Sequence, residues 1–182
     1  MMGELPEGWE KSKLKELVTF EYGKALPDKA RTPGPIPVYG SNGIIGTHTK
    51  ALVNKAGIVI GRKGTVGSVE RSTEPFWAID TTYFISQRQP HDSDWLYYLL
   101  RHANLPKLNE STGVPGLNRN YAGELFILVP PLAEQKRIAE VLSSVDDANR
   151  DTQAVIAQTR TVKTAILHTI LTQGTGHDNF KP

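Results

Sequence analysis

Residues 129–174 read VPPLAEQKRIAEVLSSVDDANRDTQAVIAQTRTVKTAILHTILTQG, and this stretch decides the architecture of the whole chain. It opens on Pro130 and Pro131 and carries Glu134 in what would be a first helical turn. Proline suits the first position of a helix, and an acidic group suits the positive end of the helix dipole. The next proline or glycine is Gly174, where a C-terminal stop is expected. Between them Ile138, Val141, Val145, Ala148, Thr152, Val155, Thr159, Val162, Ile166 and Thr169 recur at alternating spacings of three and four. Leu142, Ile156, Leu167 and Ile170 widen this stripe on one side. The period places the apolar groups on one face of a long helix and predicts a coiled-coil seam.

At 1.5 Å per residue that helix is about 60 Å long, more than a small preceding domain can cover. One reading folds it back on its own domain, or breaks it in two near Ser143-Ser144. The other packs the free part of the stripe on a helix from another chain, and length favours it. Ile138, Val141, Val145, Val155, Val162 and Ile166 are then the expected contacts with the partner helix.

The chain has 182 residues, 38% of them hydrophobic, enough for one ordinary core and an appendage. It contains no cysteine, so disulfides and thiolate metal sites are excluded, as fits a reducing compartment. The first residues, MMGELPEGWEKSK, lack an apolar signal core, and no segment reaches the ~18 apolar residues of a membrane span. A soluble, cytoplasmic protein is expected. The formal net charge is only +2, but the charges are unevenly placed. Lys29, Arg31, Lys50, Lys55, Arg62 and Lys63 fall between residues 29 and 69, a window without Asp or Glu. Such a patch suits a polyanion; a solvated loop region accounts for it equally well.

Leu5, Trp9, Leu14, Leu17 and Val18 can bury a lead-in segment, with a brief helix, or helix then strand, over residues 13–21. Residues 29–90 read as β-structure with tight turns. Pro33, Pro35 and Pro37 argue against helix and central strand locally. Asn42-Gly43 marks a tight turn between short strands. Residues 51–54 form a weak strand, Gly57–Gly61 a buried one, and strands are expected near 68–70, 76–79 and 81–86. Residues 94–102 read as a helix capped by Asp92 or Ser93, with Trp95, Leu96, Leu99 and Leu100 inward. A loop carrying Lys107, Gly113, Pro115, Gly116, Asn118 and Arg119 leads to a last strand at 125–129. The chain is therefore α/β (α+β): a globular domain with a β-rich core over 1–130, a helix over 131–173 that pairs as a coiled coil, and a flexible tail over 174–182.

Catalytic patterns are missing. The histidines at 48, 91, 102, 168 and 177 lack metal-ligand spacing. No phosphate loop, dinucleotide fingerprint or nucleophile elbow occurs. Val129-Pro130-Pro131-Leu132 has no polar acceptor for a target amine, and Pro27-Asp28 lies far from Glu134-Gln135-Lys136. Recognition chemistry remains. Three turns, at Ser41-Asn42, at Arg62-Lys63-Gly64-Thr65 and at Asn118-Arg119-Asn120, carry side chains that read base edges and phosphates. Taken singly, each is better explained as ordinary turn chemistry. Taken together, Tyr39, Ser41, Asn42, Arg62, Lys63, Thr65, Lys107, Asn118 and Arg119 are the candidate DNA-binding residues. Tyr39, Tyr83 and Tyr121 also fit a core or rim, and Trp77 and Trp95 are assigned to the core.

Five segments together resemble one family. LPEGWEKSKLKEL, IPVYGSNGIIG, IVIGRKGTVGSV, WAIDTTYFI and LNRNYAGELFILVPPLAEQKRIAEVLSSVD are similar, in this order, to the specificity (S) subunits of type I restriction-modification systems. The last is the most specific. The resemblance implies a target recognition domain that reads one half of a split DNA site, followed by a conserved spacer helix. It implies that methyltransferase (M) subunits dock on that helix, bringing S-adenosylmethionine, and that methylation and cleavage reside in the M and R subunits. Family members with two recognition domains pair their two spacer helices antiparallel within one chain. One domain and one helix here imply a homodimer reading a palindromic, bipartite site. The competing reading is a protein-interaction module that dimerises through its C-terminal helix without touching DNA.

Overall fold

The segment Gly57–Gly61 (GIVIG) is apolar at every position between its glycines, which is the pattern of a strand buried on both faces. The computed structural model, which describes residues 5–108 and 115–175, shows where the two faces go. Ile58 and Ile60 enter one core cluster; Val59 enters a second. This strand, β5 in chain order, lies inside a four-stranded sheet with β2 (Val18–Tyr22), β8 (Thr82–Gln87) and β6 (Val69–Ser72), in the order β2-β8-β5-β6. All its pairings are antiparallel. Strands β3 (Ile36–Gly40), β4 (Gly43–His48) and β7 (Trp77–Ala78) form a three-stranded sheet centred on β3. A small ribbon pairs β1 (Glu10–Lys13) with β9 (Phe126–Val129).

The larger core gathers Leu14 and Leu17 of α1 (Leu14–Leu17), Phe20, Tyr83 and Ile85 of the main sheet, and Trp95, Leu96 and Leu100 of α2 (Ser93–His102). Asp92 caps α2 as expected, its carboxylate accepting from the amides of Asp94 (3.1 Å) and Trp95 (2.9 Å). The smaller core holds Tyr39, Val59, Phe76 and Ala78.

Several local expectations need correction. Pro37 does lie in a strand, because β7 pairs only with Val38 and Tyr39 and so leaves the proline nitrogen without a ladder partner to serve. Residues 51–54 form no strand; Val53 makes a single bridge to Phe76. Trp77 is half-buried, with its indole Nε1 donating to the Lys24 carbonyl at 2.8 Å. The loop before β9 contains a 3₁₀ turn at Leu105–Leu108 and a short helix, α3 (Arg119–Gly123). Gly113 of that loop, and the tail beyond residue 175, lie outside the described residues.

The last helix, α4, runs unbroken over Leu132–Gln173, through Ser143 and Ser144, and so excludes a split there. Gly174 ends it at φ +72, its amide reaching the Ile170 carbonyl at 2.9 Å. The chain divides into two units, one up to Ala139 and one from Glu140 on. The first two turns of α4 thus belong to the globular unit. Gln135 is 2% exposed, and Ala139 and Ile138 pack on the larger core. Ile138, expected in the partner seam, is half-buried and packs against the head's core.

In the second unit the seam is exposed: Val141, Val145, Val155, Val162 and Ile166 are each between 47 and 65% accessible. Threonine fits this seam because its hydroxyl is occupied by the helix itself. Thr152 Oγ1 donates to the Ala148 carbonyl at 2.7 Å, and Thr159 Oγ1 to the Val155 carbonyl at 2.8 Å.

Candidate nucleic-acid interface

Two of the recognition turns are built from strands of different sheets and meet. The hairpin joining β3 and β4 presents Ser41 and Asn42 at its tip, with Gly43 at φ +96. The loop after β5 closes on itself, Gly67 N reaching the Gly61 carbonyl at 2.8 Å. Ser68 Oγ donates to the Ser41 carbonyl and ties the loop to the hairpin. The approach is so close that a Cβ on Gly64, itself at φ +75, would sit 2.9 Å from Ser41 Oγ.

The third turn joins them through the backbone. Leu117 N donates to the Arg62 carbonyl at 2.9 Å, and the Tyr83 hydroxyl donates to the Leu117 carbonyl at 3.0 Å. The start of α3 is thereby set beside the Arg62 loop. Gly67 draws in the Lys107 segment as well: a Cβ there would lie 2.4 Å from the Pro106 nitrogen. Ser41, Asn42, Arg62, Lys63, Thr65, Lys107 and Arg119, scattered over the sequence, are carried by loops held in contact.

At the centre stand two guanidinium groups and a tyrosine. Arg62 donates to the Asp80 carbonyl through Nε (3.1 Å) and Nη2 (2.7 Å), and its guanidinium carbon lies 5.3 Å from the Tyr22 ring centre. Arg119 lies 4.7 Å from the same ring and donates to the Phe20 carbonyl at 3.4 Å. Burial, then the neighbouring Tyr22, pushes the Tyr83 phenol up to about 12, against the opposing pull of both arginines. Tyr83 therefore stays a neutral donor at any ordinary pH. Tyr22 is 52% exposed, so the cluster forms a surface of cations mounted on an aromatic ring.

Two sequence candidates do not belong to this surface in the expected way. Tyr39 is 6% exposed and packs edge-on to Phe76 with ring centres 5.7 Å apart, so it is a core residue. The Asn118 side-chain oxygen caps α3 by accepting from Asn120 N at 2.9 Å, which makes it structural there. Arg31, from the basic window, is likewise structural, bound to Asp28 Oδ1 (2.7 Å) and the Ile45 carbonyl (3.1 Å). Sequence reasoning missed Tyr22. Its signal was the alternation Val18, Phe20, Tyr22 on one face of β2, ending at the rim beside Gly23.

The assembled donors suit phosphate oxygens and base-edge acceptors. Among the described residues there is no group of three metal-ligating side chains, and no helix is long and apolar enough to cross a membrane.

Comparison with known proteins gives a consistent picture. Residues 6–158 match the family described as "Type I restriction modification DNA specificity domain". The chain is similar to the type I restriction enzyme EcoprrI specificity subunit of Escherichia coli, 30% identical over 111 residues, covering 60% of this chain and 28% of that protein. It is also similar to the MjaVIII specificity subunit of Methanocaldococcus jannaschii, at 23% identity over 97% of this chain and 45% of that one. Among solved structures, the S subunit of a type I restriction-modification system from M. genitalium superposes with a TM-score of 0.72 at 21% identity, covering 93% of this chain and 48% of its own. The HsdS subunit of Thermoanaerobacter tengcongensis gives 0.66 at 20% identity, over 95% and 47%. The chain thus spans less than half the length of these relatives.

Proposed function

Since the chain belongs to the type I restriction-modification DNA specificity family, we propose that it is a DNA sequence-recognition subunit that reads one half of a bipartite target. The observation that carries this reading is the convergence of three turns, separated by up to about eighty positions, on the Arg62–Tyr22–Arg119 cluster. Phosphate contacts from Lys63, Lys107 and the glycine-turn amides would position the head. Ser41, Asn42, Thr65 and Arg62 would select bases. The chain makes no bonds itself. It directs a methyltransferase (M) subunit, which brings S-adenosylmethionine and methylates an extruded adenine, and a restriction (R) subunit that cleaves.

The exposed seam of α4 supports association of two copies. From Glu140 to Asp151 the helix carries Glu140, Asp146, Asp147 and Asp151 against Arg150 alone; from Thr152 on it carries Arg160 and Lys163 and no acid. An antiparallel second copy sets the acidic half of each helix beside the basic half of the other. A two-fold pair of heads reads a palindrome with a spacer set by the helices. Spacer-helix docking of the M subunit is part of the same reading.

The test is duplex binding as a function of salt, followed by methylome sequencing of cells carrying this gene with its M partner. The reading expects affinity that falls steeply with salt and one modified bipartite motif. A chain that ignores duplex DNA and leaves the methylome unchanged would be a plain dimerising interaction module.

A further inference from the structure

Beyond the Tyr22 cluster, Arg119 faces a second feature. A concave pocket of about 270 Å³ opens between β2 and α3, lined among others by Lys15, Thr19, Phe20, Arg88, Arg119 and Asn120. Its lining contains three cationic side chains and no carboxylate. Arg88 is anchored through Nε to Thr19 Oγ1 at 2.9 Å, a bond that does not use its two amino groups. Arg119 is anchored by its bond to the Phe20 carbonyl, on the strand carrying Thr19. Two guanidinium groups that line one depression are therefore each anchored to the same strand, at neighbouring positions. Lys15 sits at the rim and is held by Glu124, which also takes Lys13 Nζ at 2.6 Å. That carboxylate is held down to about 2 by the two lysines, so it stays charged and tempers Lys15; the arginines carry the pocket.

We propose that this pocket binds a phosphate of the DNA backbone, with Arg88 and Arg119 as its two ligands and Lys15 as an auxiliary charge. This rests on the DNA-reading function above and extends it to residues outside the three recognition turns. The geometry favours phosphate because paired guanidinium forks match its oxygens. It favours a backbone phosphate over a free anion because Arg119 belongs to both surfaces: a strand lying across Tyr22 passes directly to the pocket. Arg88 then contributes to register and affinity but not to base choice.

The test is titration of the full chain with a mixed-sequence duplex and with a duplex carrying its mapped target, across a range of salt. Arg88→Gln should reduce the slope of log affinity against log salt by about 0.9, one released counterion, and weaken binding roughly eightfold at ~0.1 M salt. The loss should be equal on both duplexes, with an unchanged melting temperature; Arg88→Lys should restore the salt slope, because the charge returns, but only part of the affinity, because an ammonium lacks the guanidinium fork. If the parent binds and Arg88→Gln retains the parent's affinity and slope, the pocket is overturned and the reading function stands. If the parent binds no duplex at any salt, both fall. Inorganic phosphate alone, titrated at constant ionic strength, separates the remaining case: an Arg88-dependent gain in melting temperature at submillimolar phosphate would mark a free-anion site and overturn the backbone assignment.

Discussion

Gln135, on the first turn of α4, accepts a hydrogen bond from the backbone amide of Asp92 at 2.9 Å, and Asp92 is the residue that caps α2. The same carboxamide donates to the Pro130 carbonyl at 2.9 Å and faces His91 Nδ1 at 3.3 Å. One buried side chain thus joins the root of the long helix to the head, and beside it Trp9 Nε1 donates to Glu134 Oε2 at 3.0 Å. The Glu-Gln pair after the double proline is a mechanical joint between the start of α4 and the head.

Gln135→Ala should therefore be costly. It leaves the Asp92 amide and the Pro130 carbonyl without their partner in a buried site, at about 1–3 kcal/mol for each unsatisfied group. We expect a loss of about 2–4 kcal/mol in chemical unfolding, with Gln135→Glu similarly damaging because a carboxylate cannot donate to Pro130. An unfolding midpoint within error of the parent would show that the joint is dispensable.

His91 makes the same joint sensitive to pH. Burial lowers its folded-state value below the ordinary 6.5, outweighing the opposing contact with Gln135, and its Nε2 is buried without a partner among the described residues. With the folded value depressed, the unfolded chain binds the proton first as pH falls. Stability from this group is complete above about 6.5 and is lost as pH drops from there through the lower folded value. Urea unfolding at pH 7.5 and pH 5 should show the parent losing more stability than His91→Asn. Equal losses in the two proteins would remove His91 as the cause.

Tyr22 lies under both arginines of the proposed reading surface, so Tyr22→Ala should impair DNA binding although it removes no charge. Arg62→Ala and Arg119→Ala should each cost about 1–3 kcal/mol of binding, roughly 5- to 150-fold, without unfolding the head. Tyr22→Ala should cost part of that, and Tyr22→Phe little, because the ring does the mounting. Equilibrium binding to the mapped target measures all four. An unchanged affinity for both arginine variants would dismiss this surface.

The features legible in the sequence were those whose cause is local. The Asp92 cap, the apolar run of β5 and the stop at Gly174 each follow from a few adjacent residues. Tyr39 was misread because β3 is the central strand of its sheet and Pro37 to Gly40 are all buried, so no alternation marks an outward face. The strand alternation places Tyr22 at a rim, but neither its arginine neighbours nor the packing partner of Ile138 can be read from nearby residues. Arg119, which gives Tyr22 its role, lies almost a hundred positions away, and Ile138 continues a flawless heptad while packing on the head's core. Periodicity identifies a face of a helix; it does not say where along the helix that face changes its neighbour. In this chain the change falls at Ala139.

The free seam beyond that point gives the last prediction. Val155 and Val162 are two heptad-spaced residues, 65 and 47% exposed, with no core of their own to stabilise. Replacing both by Asp should leave the head's unfolding unchanged, since neither packs on either core cluster. In a two-fold antiparallel pair it inserts four carboxylates into the seam, where unpaired charge is costly to desolvate. Light scattering should then report a dimer for the parent and a monomer for the double variant. DNA binding should fall to the level of a single head, with discrimination between half-sites retained. Replacing Ile138 by Asp should behave differently, destabilising the head itself because that side chain has already found its core. A parent that remains monomeric at high concentration would exclude the homodimer and leave the seam to a different helix.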